Sequence, residues 1–207
     1  MLRLPEALVS PVTAAVCAYG AAVRNALIFD DIEGLEASAR TPQAHRRAAA
    51  RLTEWAEQQH PDDEVTPADL LSAAAWHLGR AGDTEASLEL YRRAVTAEGT
   101  TTPDARSLLH AALLEAGRLD EARQVADDFR RSHPRIADCA DMAECFEVVG
   151  DLEQAHRWAE MGVNRLELDA PEDADDADSD VITLLDVRRR VREELGFPPD
   201  ELDELRL

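Results

Sequence analysis

The sequence predicts an all-α fold, a solenoid of helix-turn-helix repeats, and three observations predict it. A Gly-centred turn recurs three times at near-constant spacing. The apolar residues around those turns follow helical periodicity. No segment alternates with period two between turn signals, so no sheet is expected. Composition agrees: apolar residues make up 45% of the 207 residues, yet aromatics only 4%, and Ala is abundant. Small side chains let helices approach closely, whereas a β-sandwich needs β-branched and aromatic strands.

Helix starts are written in hydroxyl–proline pairs: Ser10-Pro11, Thr41-Pro42, Thr66-Pro67 and Thr102-Pro103. The hydroxyl accepts a bond from an orphan N–H, and Pro fits the first helical position, where its missing N–H costs nothing. Asp69, three residues after Thr66, completes a pattern like a capping box. Helix stops fall at Gly82, Gly117 and Gly150, since Gly reaches the left-handed conformation that ends many helices. The resulting helices span 11–28, 42–59, 67–80, 84–97, 103–116, 119–132, 135–149, 152–167 and 180–195, with at most a short helix in 29–40.

These elements divide the chain into four parts. Residues 1–66 form an N-terminal helical region readable as a degenerate repeat, and 67–168 hold three repeats. Residues 169–180 are a densely acidic linker whose like charges cannot bury, and 181–207 are a capping helix and tail. Helix 42–59 carries a stripe of Ala48, Leu52 and Trp55, with the polar tips of His45 and Arg46 directed to solvent. Its expected partner is helix 11–28, through Val12, Val16, Tyr19, Val23 and Leu27. At the other end Val181, Leu184, Leu185, Val187, Val191 and Leu195 make an apolar face that covers the last repeat.

The repeat itself is Gly82-Asp83-Thr84-Glu85-Ala86-Ser87, Gly117-Arg118-Leu119-Asp120-Glu121-Ala122 and Gly150-Asp151-Leu152-Glu153-Gln154-Ala155. Small residues follow at one offset (Ser87, Ala122, Ala155), then Tyr91, Ala126 and Ala159, then Ala94, Phe129 and Gly162. Helices before each Gly supply Leu71, Ala74, Ala75 and Leu78, then Leu109 and Leu113, then Met142, Ala143 and Phe146. One such hairpin cannot bury its apolar face alone, so hairpins stack.

This pattern resembles the tetratricopeptide repeat family over about residues 68–168, and Pro134 sits where that family often ends a unit. His110 stands where the family prefers Gly or Ala, Ala126 replaces an aromatic, and Gly162 is unusual, so the second and third units are expected to pack with altered spacing. The resemblance implies that the first helix of each unit lines a concave groove. It places Asp69, Ser72, Trp76 and Arg80 there from the first unit, Asp104, Ser107, Ala111 and Glu115 from the second, and Ala137, Ala140, Glu144 and Glu147 from the third. The carboxylate clamp of some relatives is absent. An acidic groove with one Trp suits a protein or peptide segment carrying Arg or Lys.

Charge excludes other partners. Asp and Glu number 43 against 22 basic residues, all Arg, giving a formal charge of -21. Such a surface repels nucleic acid and anionic membranes. The uncharged run from Leu8 to Val23 is interrupted by Pro11 and Gly20 and is shorter than a membrane span, so it reads as a buried helix of a cytoplasmic protein and not as a signal peptide. Cys17, Cys139 and Cys145 have no metal-type spacing and read as buried thiols. The histidines, His45, His60, His77, His110, His133 and His156, form no ligand pattern, and no phosphate loop or nucleophile elbow occurs. No cofactor or metal is expected. Arg188, Arg189, Arg190 and Arg192 read as a solvated face. The function expected is a non-catalytic adaptor or scaffold. The alternatives are a regulatory sensor that closes on a peptide or metabolite, an enzyme with an unrecognised site, and a homodimer formed through the terminal helices.

Overall fold

Thr41 and Thr66 cap helices as their side chains allow. The Thr41 hydroxyl accepts from the Ala44 N–H at 3.2 Å, and that of Thr66 from the Asp69 N–H at 3.2 Å, while Asp69 accepts from the Thr66 N–H at 2.9 Å. The computed structural model describes residues 24–166 and 177–203. Among them are nine helices and no strand: α1 (Phe29–Ser38), α2 (Pro42–Glu57), α3 (Pro67–Arg80), α4 (Thr84–Thr96), α5 (Ala105–Glu115), α6 (Leu119–Arg130), α7 (Ile136–Val148), α8 (Leu152–Leu166) and α9 (Ala177–Glu194). None is long and apolar enough to cross a membrane.

The glycine stops behave as their chemistry dictates. Gly82, Gly117 and Gly150 have φ of 81°, 71° and 76°, where a side chain is strained. Each turn carries the same pair of bonds. At the first, the Gly82 N–H donates to the Gly79 carbonyl and the Asp83 N–H to that of Leu78; Gly117 with Arg118, and Gly150 with Asp151, repeat it. Gly196 ends α9 in the same way. The turns fold α3 on α4, α5 on α6 and α7 on α8, while α2 packs on α3. Helix α5 touches both α3 and α7. The small residues read from the repeat (Ser87, Ala122, Ala155, Ala126, Ala159, Ala94) are all buried at these crossings.

Several expectations need correction. The part of helix 11–28 that is described, residues 24–28, is not helical; the rest, with Ser10-Pro11 and Cys17, lies outside the described residues. Asp63 holds this segment straight, pairing with Arg24 and accepting from the Leu27 N–H at 2.8 Å. Leu27 buries nonetheless, and α1 begins at Phe29. Helix α5 starts at Ala105, not at Pro103, because Asp104 takes the capping role, accepting from the Arg106 N–H at 2.9 Å. His45 does not reach solvent: its Nδ1 lies 2.8 Å from His77 Nδ1 in the α2–α3 interface, while Arg46 goes outward to Asp83. Helix α9 begins at Ala177, inside the stretch read as linker, whose residues 169–176 lie outside those described.

Helix α9 packs on α7 and α8 and buries Leu184, Val187 and Val191. The basic cluster is not simply solvated. The Arg188 side chain is only 4% exposed and pairs with Glu160 at 2.7 Å, Asp200 at 2.6 Å and Asp203 at 2.8 Å. Arg190 reaches Glu147 at 2.8 Å and Arg192 reaches Asp203 at 2.9 Å, whereas Arg189 is exposed beside Asp186.

The unusual Gly162 has its reason here. A Cβ at that position would stand 2.7 Å from a Leu184 methyl and 2.9 Å from the Cys139 Cβ. The Leu184 methyl can swing aside; the Cys139 Cβ cannot without moving α7. Overpacking of this kind costs about 1–3 kcal/mol, against a helix-propensity gain of about 1 kcal/mol on leaving Gly. Gly162→Ala is therefore expected to lower stability slightly and Gly162→Val by about 3 kcal/mol, measured by urea melts. A Val variant as stable as the parent would refute the close approach of α9.

Candidate functional site

The face made by α3, α5 and α7 carries two joined clefts. The larger, about 570 Å³, opens between α5 and α7; a second of about 440 Å³ lies where α5 meets α3 and α4. Leu108, Ala111 and Glu115 line both, so the depression runs on from one hairpin to the next. These three residues recur at i, i+3 and i+7 and share one side of α5.

His110 of α5 is fully buried against Phe146 of α7, ring centroids 4.6 Å apart. These two rings fill the crossing of α5 and α7. Burial lowers the His110 pKa to about 4, so the ring is neutral. Asp138 and Arg135 fix the edge of the cleft. Arg135 pairs with Asp138 and donates to the Thr101 carbonyl at 3.0 Å, and the Asp104 N–H donates to Asp138 at 3.2 Å. Pro103, between these contacts, forms the rim.

The larger cleft is mostly apolar and carries three carboxylates. Leu108, Ala111, Leu114 and Val148 line it together with Glu115, Asp141 and Glu144. Burial pushes the Asp141 carboxyl up to about 6, with further repulsion from Asp138, Glu144 and Asp180 against a weaker pull from Arg135. Cys145 also faces the cleft, and burial raises its thiol to about 11, so it is a neutral, unreactive wall. Ser107 is buried at the base, and its hydroxyl has no partner among the described residues. In the second cleft Trp76 is 41% exposed and Arg80 lies over its ring at 5.8 Å.

Of the residues mapped from the repeat pattern, Trp76, Arg80, Ser107, Ala111, Glu115 and Glu144 line the clefts. Others do not. Asp69 is spent on the Thr66 cap, and Asp104 on the α5 cap and Arg106. Ser72 and Ala140 are buried, and Glu147 turns to Arg190 of α9. On α7 the lining residues are Asp141, Glu144, Cys145 and Val148 in place of Ala137, Ala140, Glu144 and Glu147. Glu147, one of the mapped residues, pairs instead with Arg190 of α9, which packs against α7. The stripe Asp141, Cys145, Val148 has helical spacing and was the available signal.

The other aromatic and cysteine expectations divide similarly. Trp158 and Tyr91 are core, Trp55 is only partly buried, and Cys139 is buried. Among the described residues no three of His, Cys, Asp and Glu are placed to hold a metal. No family model, curated protein or solved structure matches the chain.

Proposed function

We propose that this protein is a non-catalytic scaffold of the tetratricopeptide type that holds a polypeptide partner against the face of α3, α5 and α7. The observation that carries the reading is the continuous depression on that face, lined by the first helix of each of three hairpins that share one turn chemistry. The recurrence of small buried residues at matching offsets supports the repeat assignment, because undersized side chains at helix crossings are how such hairpins interlock. Exposed Trp76 offers the kind of large, rigid contact area that dominates many interfaces.

The test is affinity purification from the native host with the full chain as bait, run beside Trp76→Ala and Ala111→Trp. Proteins retained by the parent and lost from both variants are the expected result. Recovery of the same set by all three, or of none by the parent, would count against the reading.

A further inference from the structure

The strongest unassigned feature is the larger cleft, and it deepens the scaffold reading on which it rests. We propose that the α5–α7 cleft receives one apolar side chain of the polypeptide partner together with an adjacent Arg or Lys, whose charge is met by Glu115, Asp141 and Glu144. A volume of about 570 Å³ holds a side chain of any size with part of its backbone. The lining is mostly apolar, which makes it worth desolvating, and three carboxylates stand among it. Neither Glu115 nor Asp141 has an ion-pair partner among the described residues, and Glu144 has only Arg190 at 3.6 Å. A cation arriving there relieves a repulsion already present.

The Ser107 hydroxyl is the second, independent observation. It is a donor and acceptor at the base of the cleft, nine-tenths or more buried and unpartnered among the described residues. Buried hydroxyls left unpaired are costly, and a backbone group of an inserted segment satisfies this one. The occupant is a polypeptide because the depression continues to Trp76 and Arg80. Neighbouring helices lie about 8–10 Å apart, so α3 to α7 is two such steps, longer than one compact ligand. Arg80, which has no ion pair among the described residues, gives the far end the opposite charge. The segment is thereby oriented, its basic residue toward α7 and any acidic residue toward α3.

Binding of a cation here is linked to pH through Asp141. It faces Asp138 and Glu144 on α7, Arg135 just before it, Asp180 on α9 and the Glu115 side of α5. In the free protein the carboxyl is half protonated near pH 6, and the complex needs it charged. Affinity is therefore full at pH 7.5 and falls as pH drops through that value.

The experiment is selection of a displayed random dodecapeptide library on the full chain at pH 7.5, with binding of the enriched peptides measured by fluorescence anisotropy. Enriched peptides are expected to pair a Leu, Ile, Met or Phe with a neighbouring Arg or Lys. Ala111→Trp, which fills the cleft, is expected to weaken them at least about tenfold. Asp141→Asn is expected to weaken them about fivefold at pH 7.5 and only about twofold at pH 5.5, where the parent's affinity has fallen toward it. Circular dichroism melts establish that both variants are folded. Enriched peptides that lack basic residues, or that bind Ala111→Trp as tightly as the parent, would overturn the proposal and leave the scaffold reading standing. Absence of any enriched peptide would overturn both. Light scattering that shows a dimer lost in Ala111→Trp would assign the cleft to a second copy of this chain and overturn the proposal.

Discussion

Arg188→Met is expected to destabilise the protein by about 3–5 kcal/mol. The side chain is 4% exposed and is shared by Glu160, Asp200 and Asp203. Burial opposes its charge, yet the bonds to Asp200 and Glu160 prevail and hold the guanidinium pKa above its ordinary value. Met keeps the aliphatic stem but removes the cation, leaving Asp203, only 6% exposed, with Arg192 alone. The turn after α9 then loses its anchor, and α9 its second means of attachment besides Leu184, Val187 and Val191. Urea melts are expected to show the loss, with dye binding to the uncovered faces of α7 and α8. Adding Asp203→Asn to Arg188→Met is expected to restore part of it, because the stranded carboxylate is removed. A single variant within 0.5 kcal/mol of the parent, well below the range for broken buried pairs, would show that α9 is held by apolar contact alone. Acid acts on the same cluster: the Arg188 bond holds the Asp200 carboxyl below its usual range, so that part of the stability is whole above about pH 4 and is lost progressively as pH falls toward the folded value.

Acidification from pH 7 to 4 is expected to cost about 3 kcal/mol for a different reason. His77 and His110 are fully buried, and burial lowers both to about 4, with repulsion from His45 adding to the effect at His77. Their folded pKa values lie below the unfolded one near 6.5, so the unfolded chain takes protons first. Stability is then whole above pH 6.5 and is lost as pH falls toward 4. Asp141 works the other way: its folded value near 6 lies above the unfolded one, and it gains stability over the same descent. Each pH unit of difference is worth about 1.4 kcal/mol, and two imidazoles outweigh one carboxyl. His110→Leu is expected to remove most of the net loss, because the remaining His77 is then nearly balanced by Asp141. Equal pH slopes for parent and variant in urea melts would contradict this account.

What could be read from the sequence was local. Thr41, Thr66 and the glycines at 82, 117 and 150 act through bonds to residues within one turn, so their patterns reached the fold intact. Repeat offsets worked because each buried position depends on its own hairpin. The misreadings share a different origin. His45 looked like a surface residue, but its partner His77 is 32 positions away. Arg188 looked solvated beside its basic neighbours, but the chain reverses at Gly196 and returns Asp200 and Asp203 to it. Asp141 and Cys145 lie outside the positions mapped from the repeat pattern, and α9, whose contacts with α7 span the described gap, takes the mapped Glu147. Six of the twelve mapped residues line the clefts, and of the other six, three sit on α7, against which α9 packs.

The placement of α9 also bears on how such a chain can change length. The apolar side of α7 and α8 that a following hairpin would need is already taken, and Gly162 leaves room there for Leu184 and nothing wider. Duplicating a hairpin after Leu166 would force the copy to compete with α9 for one seat.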